Sequence, residues 1–386
     1  MEASNIMFAL LRFEINGDNL CEDIKNLITP EVLPALFKLS KKHDLAHLIG
    51  DALDKNGLLL DGTEAKKRFL HERNMAVYRY EQIQYEFEQI CDVLEKAKIP
   101  FIPLKGSVIR QYYPEPWMRT SCDIDILVSK DSADTAKEYL VEKLRYTVEG
   151  KNSHDISMYA ESGVHLELHF DLIEDYVFEN NKSVLKNIWE VASIKENREY
   201  HHEMSDEVFY FYHIAHMAKH FKGGGCGIRP FLDDWILNQT SNNEQVRQYL
   251  LREGNLYTFA DKIRQVSTCW FSGAPHTPLT LEIEQYILQG GVYGNSENRA
   301  AVQQATKGGK VRAIFSRVFL PYYLLKVQYP ILEKHKALMP FCQIARWWHL
   351  LFGKRTKIAK RELAANMSVS KDKKERMETL LKELGL

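Results

Sequence analysis

The sequence predicts an α+β chain, with a small mixed-sheet core set between N-terminal and C-terminal helical regions. Three observations predict it. Apolar residues recur at helical spacing through residues 1–98. β-forming runs bounded by turn residues crowd into residues 99–200. Helical periodicity then returns over residues 201–386 and ends in a basic tail. In the first region, Val32, Leu33, Leu36 and Phe37 share one helical face, as do Leu45, Leu48, Ile49 and Leu53. Residues 64–98 read as one longer helix whose apolar positions include Leu70, Met75, Ile83, Phe87, Ile90 and Leu94. The core opens on a short apolar run, Ile99-Pro100-Phe101-Ile102-Pro103-Leu104, which stops at the turn Lys105-Gly106-Ser107. A helical piece at 108–113 and a Pro-rich loop lead to a strand at 122–128. Residues 132–144 read as helix and 146–149 as extended chain. Residues 155–160 and 164–170 read as a hairpin around Glu161-Ser162-Gly163. Ser205, followed by Asp206 and Glu207, is a helix start, and Gly223-Gly224-Gly225 ends that helix. Pro321, Pro330 and Pro340 mark later boundaries.

The composition of these 386 residues, 45% hydrophobic and 27% charged with a formal net charge of −1, is that of an ordinary soluble globular protein. No run approaches the ~18 uninterrupted apolar residues of a membrane span. The opening Met1-Glu2-Ala3-Ser4-Asn5 lacks a positive n-region, and residues 7–11 are too short for a signal h-region. Six scattered cysteines without a CxxC pair argue against a zinc ribbon or disulfide scaffold, and suit a reducing cytosol. The expected location is cytoplasmic.

The sharpest chemical signal is Ser121-Cys122-Asp123-Ile124-Asp125-Ile126-Leu127-Val128. Side chains alternate on a strand, so Asp123 and Asp125 share a face roughly 6.6 Å apart, while Ile124, Ile126 and Val128 face the other way. Two parallel carboxylates on an otherwise apolar strand are costly unless they meet a cation, and Mg2+ or Mn2+ is the natural partner. The alternative is an edge strand whose carboxylates face water. Upstream, Lys105-Gly106-Ser107 lies between strand and helix, where a small-residue turn can hold a phosphate. Downstream, residues 164–172 alternate without a break. His165, Glu167, His169 and Asp171 occupy one face, and Val164, Leu166, Leu168, Phe170 and Leu172 the other. Were this strand beside the aspartate strand, Glu167 would supply a third carboxylate.

A glycine-serine turn, a helix, a DxD strand and a later acidic strand together resemble the DNA-polymerase-beta-like nucleotidyltransferase superfamily. Within it, several stretches resemble the bacterial uncharacterised nucleotidyltransferase family. They are Lys105-Gly106, Tyr113-Pro114, Arg119, residues 123–128, Glu167-Leu168-His169 and His216-Met217-Ala218-Lys219-His220, with Asp233 or Asp234 further on. The stretch 329–334, Pro340 and Arg346 are similar too. The resemblance implies that Asp123 and Asp125 hold catalytic Mg2+ or Mn2+, with Glu167 as third ligand on an arm one methylene longer than aspartate. It implies that Gly106 and Ser107 cradle the phosphates of an NTP, expected to be ATP, and that pyrophosphate is released. Lys105 replaces the usual apolar residue before the glycine and can add a charge on a phosphate. Arg119 either clamps a phosphate or the second substrate, or makes a structural ion pair. The acceptor hydroxyl belongs to a sugar phosphate or small metabolite, a protein side chain or a tRNA end.

His213, His216 and His220 share one helical face. That face, with Lys219, either contacts nucleotide or acceptor or packs in the core. From Gln304 onward Lys and Arg exceed Asp and Glu by twelve. The excess concentrates in Lys354, Arg355, Lys357, Lys360 and Arg361, and again in Lys371, Lys373, Lys374 and Arg376, just after Trp347-Trp348. This tail binds RNA or an anionic surface, or is a solvated helical face with a packed tryptophan pair. The competing functional readings are a non-catalytic nucleotide sensor and a peripheral membrane factor in surface-polysaccharide assembly.

Overall fold

Alternation of apolar and polar residues along the strands sets the layering. A computed structural model describes residues 2–172, 185–240, 243–352 and 356–386. Five strands, β1 (Phe101–Pro103), β2 (Asp123–Val128), β3 (Thr147–Lys151), β4 (Asp155–Tyr159) and β5 (His165–His169), form one sheet in the order β1-β2-β5-β4-β3. β2 and β5 run parallel, and every other neighbouring pair is antiparallel. The last of these five strands in sequence is therefore the central one. One face of the sheet carries Ile124, Ile126, Val128, Ile156, Met158, Leu166 and Leu168, all buried. They form a core with Ile83, Ile90 and Leu94 of the long helix α5 (Glu64–Lys96) and with Ala133, Ala136 and Leu140 of helix α7 (Ala133–Leu144). The opposite face carries Asp123, Asp125, Ser157, His165, Glu167 and His169, together with buried Ile102 and Leu127.

α5 starts at Thr63, whose Oγ1 accepts the Lys66 backbone N–H at 3.3 Å and satisfies one of the unpaired donors of the first turn. Its N-terminal half packs on helix α4 (Ala46–Lys55), which is buried along most of its length. The two helices approach closely at Gly50, where a Cβ would lie 2.8 Å from the Phe69 carbonyl oxygen. Helix α1 (Glu2–Asn16) joins the same assembly, with Phe8 stacked on Trp270 of the helix Tyr257–Ser272 at 4.8 Å and 16°.

The chain divides into two compact units, residues 1–216 with 228–280, and residues 217–227 with 281–386. The boundaries near 98 and 200 read from the sequence follow secondary-structure content, whereas the units follow packing. The N-terminal helices, the sheet and the helices Arg229–Gln239 and Tyr257–Ser272 thus fall in the first unit. In the second unit the helices Ser296–Thr306, Thr356–Ser368 and Lys371–Glu383 pack together, burying Val302, Met377, Leu380 and Leu381. The Trp347 indole donates to the Val318 carbonyl at 2.7 Å and meets Phe319 edge-on, while Trp348 is 65% exposed. Lys371, Lys373 and Lys374 pair with Glu375, Glu297 and Glu378. Lys354 and Arg355 lie outside the described residues. Among the described residues no helix is long and apolar enough to cross a membrane.

Replacing Gly50 with alanine is expected to destabilise the protein by about 1–3 kcal/mol, because the new methyl must push α4 away from α5. Gly150→Ala, with nothing within 4 Å of the new Cβ, is the near-neutral control. Urea denaturation midpoints of the two variants check this.

Candidate metal and phosphate site

The register of the sheet assembles the site. In the parallel β2–β5 pair, Asp123 lies opposite His165, Asp125 opposite Glu167, and Leu127 opposite His169. In the antiparallel β4–β5 pair, Tyr159 lies opposite His165, Ser157 opposite Glu167, and Asp155 opposite His169. Cross-strand partners share a face, so the ionisable side chains of three adjacent strands form one polar surface. Two ligand groups lie on it, each with its donor atoms within 4.8 Å of one another: Asp123, His165 and Glu167; and Asp125, Glu167 and His169. Glu167 is common to both. Its carboxylate, one methylene further out than that of aspartate, lies within 4.8 Å of the other donor atoms of each group.

Charge is unevenly compensated across this surface. Asp125 is 2% exposed, and its Oδ1 accepts from Lys105 Nζ at 2.6 Å and from His169 Nε2 at 2.9 Å. Glu167 Oε2 lies 3.5 Å from Lys105 Nζ and 3.3 Å from His169 Nε2. Burial alone would raise the Asp125 carboxyl, but the Lys105 ammonium and the His169 hydrogen bond outweigh it and hold it well below the usual range. The His169 hydrogen bond likewise lowers Glu167. Burial opposes the charged form of His169, yet its bonds to Asp125 and Glu167 keep its pKa raised. Asp123 is left without such a partner. Desolvation, then repulsion from Asp125, pushes its carboxyl up to about 6. A surface with three carboxylates, one of them raised by burial and by its charged neighbour, fits a hard divalent cation.

The adjoining turn is held from below. Lys105 sits at φ +46 and ψ −122, a backbone region that costs a non-glycine residue about 1–3 kcal/mol. Gly106 packs against Ser121, where a Cβ would come within 3.1 Å of the serine Cβ. Arg110, buried beneath, donates from Nε to the Gly106 carbonyl at 2.8 Å and from Nη2 to Ser121 Oγ at 2.9 Å. The Ser107 hydroxyl is buried with no hydrogen-bond partner. Such an orphan is a group that a ligand oxygen would satisfy.

The other candidates separate. Arg119 is engaged inside the fold, donating from Nε and Nη2 to the two oxygens of Asp233 at 2.7 and 2.8 Å and from Nη1 to the Thr120 carbonyl. Tyr113 donates to the same Asp233 at 2.7 Å. This is the geometry of the ion-pair alternative. His213 bonds to the Pro230 carbonyl at 3.0 Å, and His216 lies beside the Tyr212 ring at 6.2 Å. Lys219 and His220 fall on the last turns of the helix Asp206–Lys222, within the second unit. Three contributors escaped the sequence reading. Arg110 braces the turn. Tyr212 is buried, and its phenol feels the charges of Lys105, Asp125 and Glu167. His169 appeared in the sequence as one residue of a polar strand face and of the Glu167-Leu168-His169 stretch, without a role of its own.

Residues 31–271, well over half of the chain, match the family described as uncharacterised nucleotidyltransferase. No curated protein and no solved structure matches.

Two predictions follow from the charge balance. Lys105→Met leaves buried Asp125 without its ammonium and is expected to lower stability by about 3 kcal/mol in chelator. Added Mg2+ should restore most of that loss, and thermal melts with and without the ion measure it. Because the His169 pKa is raised on folding, its contribution is full below about pH 6.5 and is lost as pH rises through the folded value. Wild type should therefore exceed His169→Asn in stability at about pH 6, and the gap should shrink at alkaline pH. Denaturant midpoints across that range decide it.

Proposed function

Because the chain belongs to the uncharacterised nucleotidyltransferase family, we propose that it moves a nucleoside monophosphate from an NTP to an acceptor hydroxyl. The observation that carries this reading is Glu167, shared between the ligand groups of Asp123 and Asp125. These three carboxylates would hold Mg2+ or Mn2+, as oxygen donors suit hard cations. When bound, such ions polarise the phosphate under attack and lower the pKa of the attacking hydroxyl.

The chain's own residues do the rest. The acceptor oxygen bonds to the α-phosphorus and its proton passes to the Glu167 carboxylate. The bond from that phosphorus to the bridging oxygen breaks, and pyrophosphate leaves with the electron pair. The Ser107 hydroxyl donates to a phosphate oxygen, and the Lys105 ammonium offsets charge on the triphosphate. Arg110 and Ser121 keep the Gly106 turn in place. ATP is the expected donor. The acceptor classes are a sugar phosphate or small metabolite, a protein side chain and a tRNA end.

One observation favours a second reading. Lys105 and His169 already compensate Asp125, which would suit a non-catalytic nucleotide sensor. The experiment offers each α-labelled NTP with Mg2+ or Mn2+ and total cell extract as acceptor. Transfer by wild type, with Asp123→Asn and Asp125→Asn each slower by on the order of 10²–10³ while still folded, is the expected result. NTP binding without transfer would establish the sensor. Near-wild-type transfer by either variant would remove the carboxylates from the mechanism.

A further inference from the structure

The polar face does not end at Glu167. One step along the sheet, His154, Asp155 and His169 form a third group whose donor atoms also lie within 4.8 Å of one another. Asp155 is only 4% exposed, and its Oδ1 has no hydrogen-bond partner among the described residues. A buried carboxylate oxygen without a donor is costly, and register places Asp155 directly across from His169. The rings of His154 and His169 stack at 6.1 Å and 24°. The His154 segment is fixed to the end of β5, since its carbonyl accepts from Phe170 N at 2.9 Å and Asp171 N at 3.3 Å. His169 Nε2 meanwhile faces Asp125 and Glu167. A carboxylate on one nitrogen of an imidazole, orienting the ring for a metal on the other, is the usual support of a metal-bound histidine.

We infer that His154, Asp155 and His169 form a separate site for a transition-metal ion of the Zn2+ class, beside the carboxylate cluster. Two imidazoles and one carboxylate favour Zn2+ or its neighbours over Mg2+, whereas the two groups that share Glu167, each with two carboxylates and one imidazole, lean toward harder cations. Three protein ligands leave a fourth position open to water or to a ligand atom. In this arrangement His169 ligates through Nδ1, and its Nε2–H···Asp125 bond links the two cation sites. The inference stands whether or not the chain transfers nucleotides.

The test uses the full-length protein, stripped with chelator, held in millimolar Mg2+ and titrated with Co2+ as a spectroscopic probe, then with Zn2+. One equivalent of Co2+ should give visible d–d absorption that Zn2+ abolishes and further Mg2+ does not. His154→Ala and Asp155→Asn should each weaken Zn2+ binding by at least about tenfold. Asp123→Asn, which alters only the carboxylate cluster, should leave the Co2+ spectrum unchanged. Melting curves in chelator identify any variant that fails to fold, and the half-buried His154 provides the test if Asp155→Asn does. Equal Zn2+ affinity in wild type and His154→Ala, or loss of the Co2+ spectrum to Mg2+, would overturn the site.

Discussion

Parallel pairing of β2 with β5, at one register, is the constraint on which the site depends. Side chains alternate with period two, so slipping β5 by a single residue would send His165, Glu167 and His169 into the apolar layer and bring Leu166 and Leu168 out. The buried face prevents that. Leu166 and Leu168 are fully buried beside Ile124, Ile126, Ile156 and Met158, against α5 and α7. The hydrophobic energy of one side of the sheet thus fixes which ionisable groups meet on the other. Burial of apolar area selects the register, and the register selects the chemistry.

That layering also explains how a run of like charge is tolerated. Asp125 is nearly inaccessible, and burying a carboxylate is unfavourable unless charge and hydrogen bonds replace water. Lys105 and His169 provide both, from a turn and from the far end of β5. Asp123, closer to the strand start and more open, has no equivalent. Within a single strand the site therefore grades from a carboxylate bonded to Lys105 and His169 to one whose burial outweighs the more distant charges of Lys105 and His165. The backbone strain at Lys105 is part of the same arrangement, because it places an ammonium over Asp125 where the sequence offers no glycine at that position.

Much of this was legible in the sequence, and the reasons are local. The period-two pattern of 123–128 and 164–172 identified both strands and both faces, and the Gly106-Ser107 turn marked its own position between strand and helix. The α+β class followed from where helical spacing stops and resumes. What remained unreadable depends on distance along the chain. Whether Arg119 meets a substrate or a partner turned on Asp233, 114 residues away, and nothing in the local pattern distinguishes the two. Lys105 lies 20 residues from Asp125, so its role as that residue's counter-ion appears only once the sheet is assembled. The tail showed the same limit at Lys373, whose partner Glu297 lies on another helix, whereas Lys374 pairs with Glu378 one turn along its own. Tyr212 and Arg110 carried no motif at all.

The strand order has a consequence for how the protein is made. β5 is the last strand of the five to leave the ribosome, yet it occupies the centre of the sheet, between β2 and β4. Until it arrives, the nascent chain carries two strands with unpaired inner edges, and unpaired edges are templates for wrong partners. The α5 helix, made first and held by local contacts, can already shelter the apolar face of β2. The polar face needs no shelter, since its carboxylates are solvated while they wait. Insertion of β5 then closes the sheet and completes the ligand groups in one event. Each of the three groups of potential ligands includes a β5 residue, so all are completed together at the final step of sheet assembly.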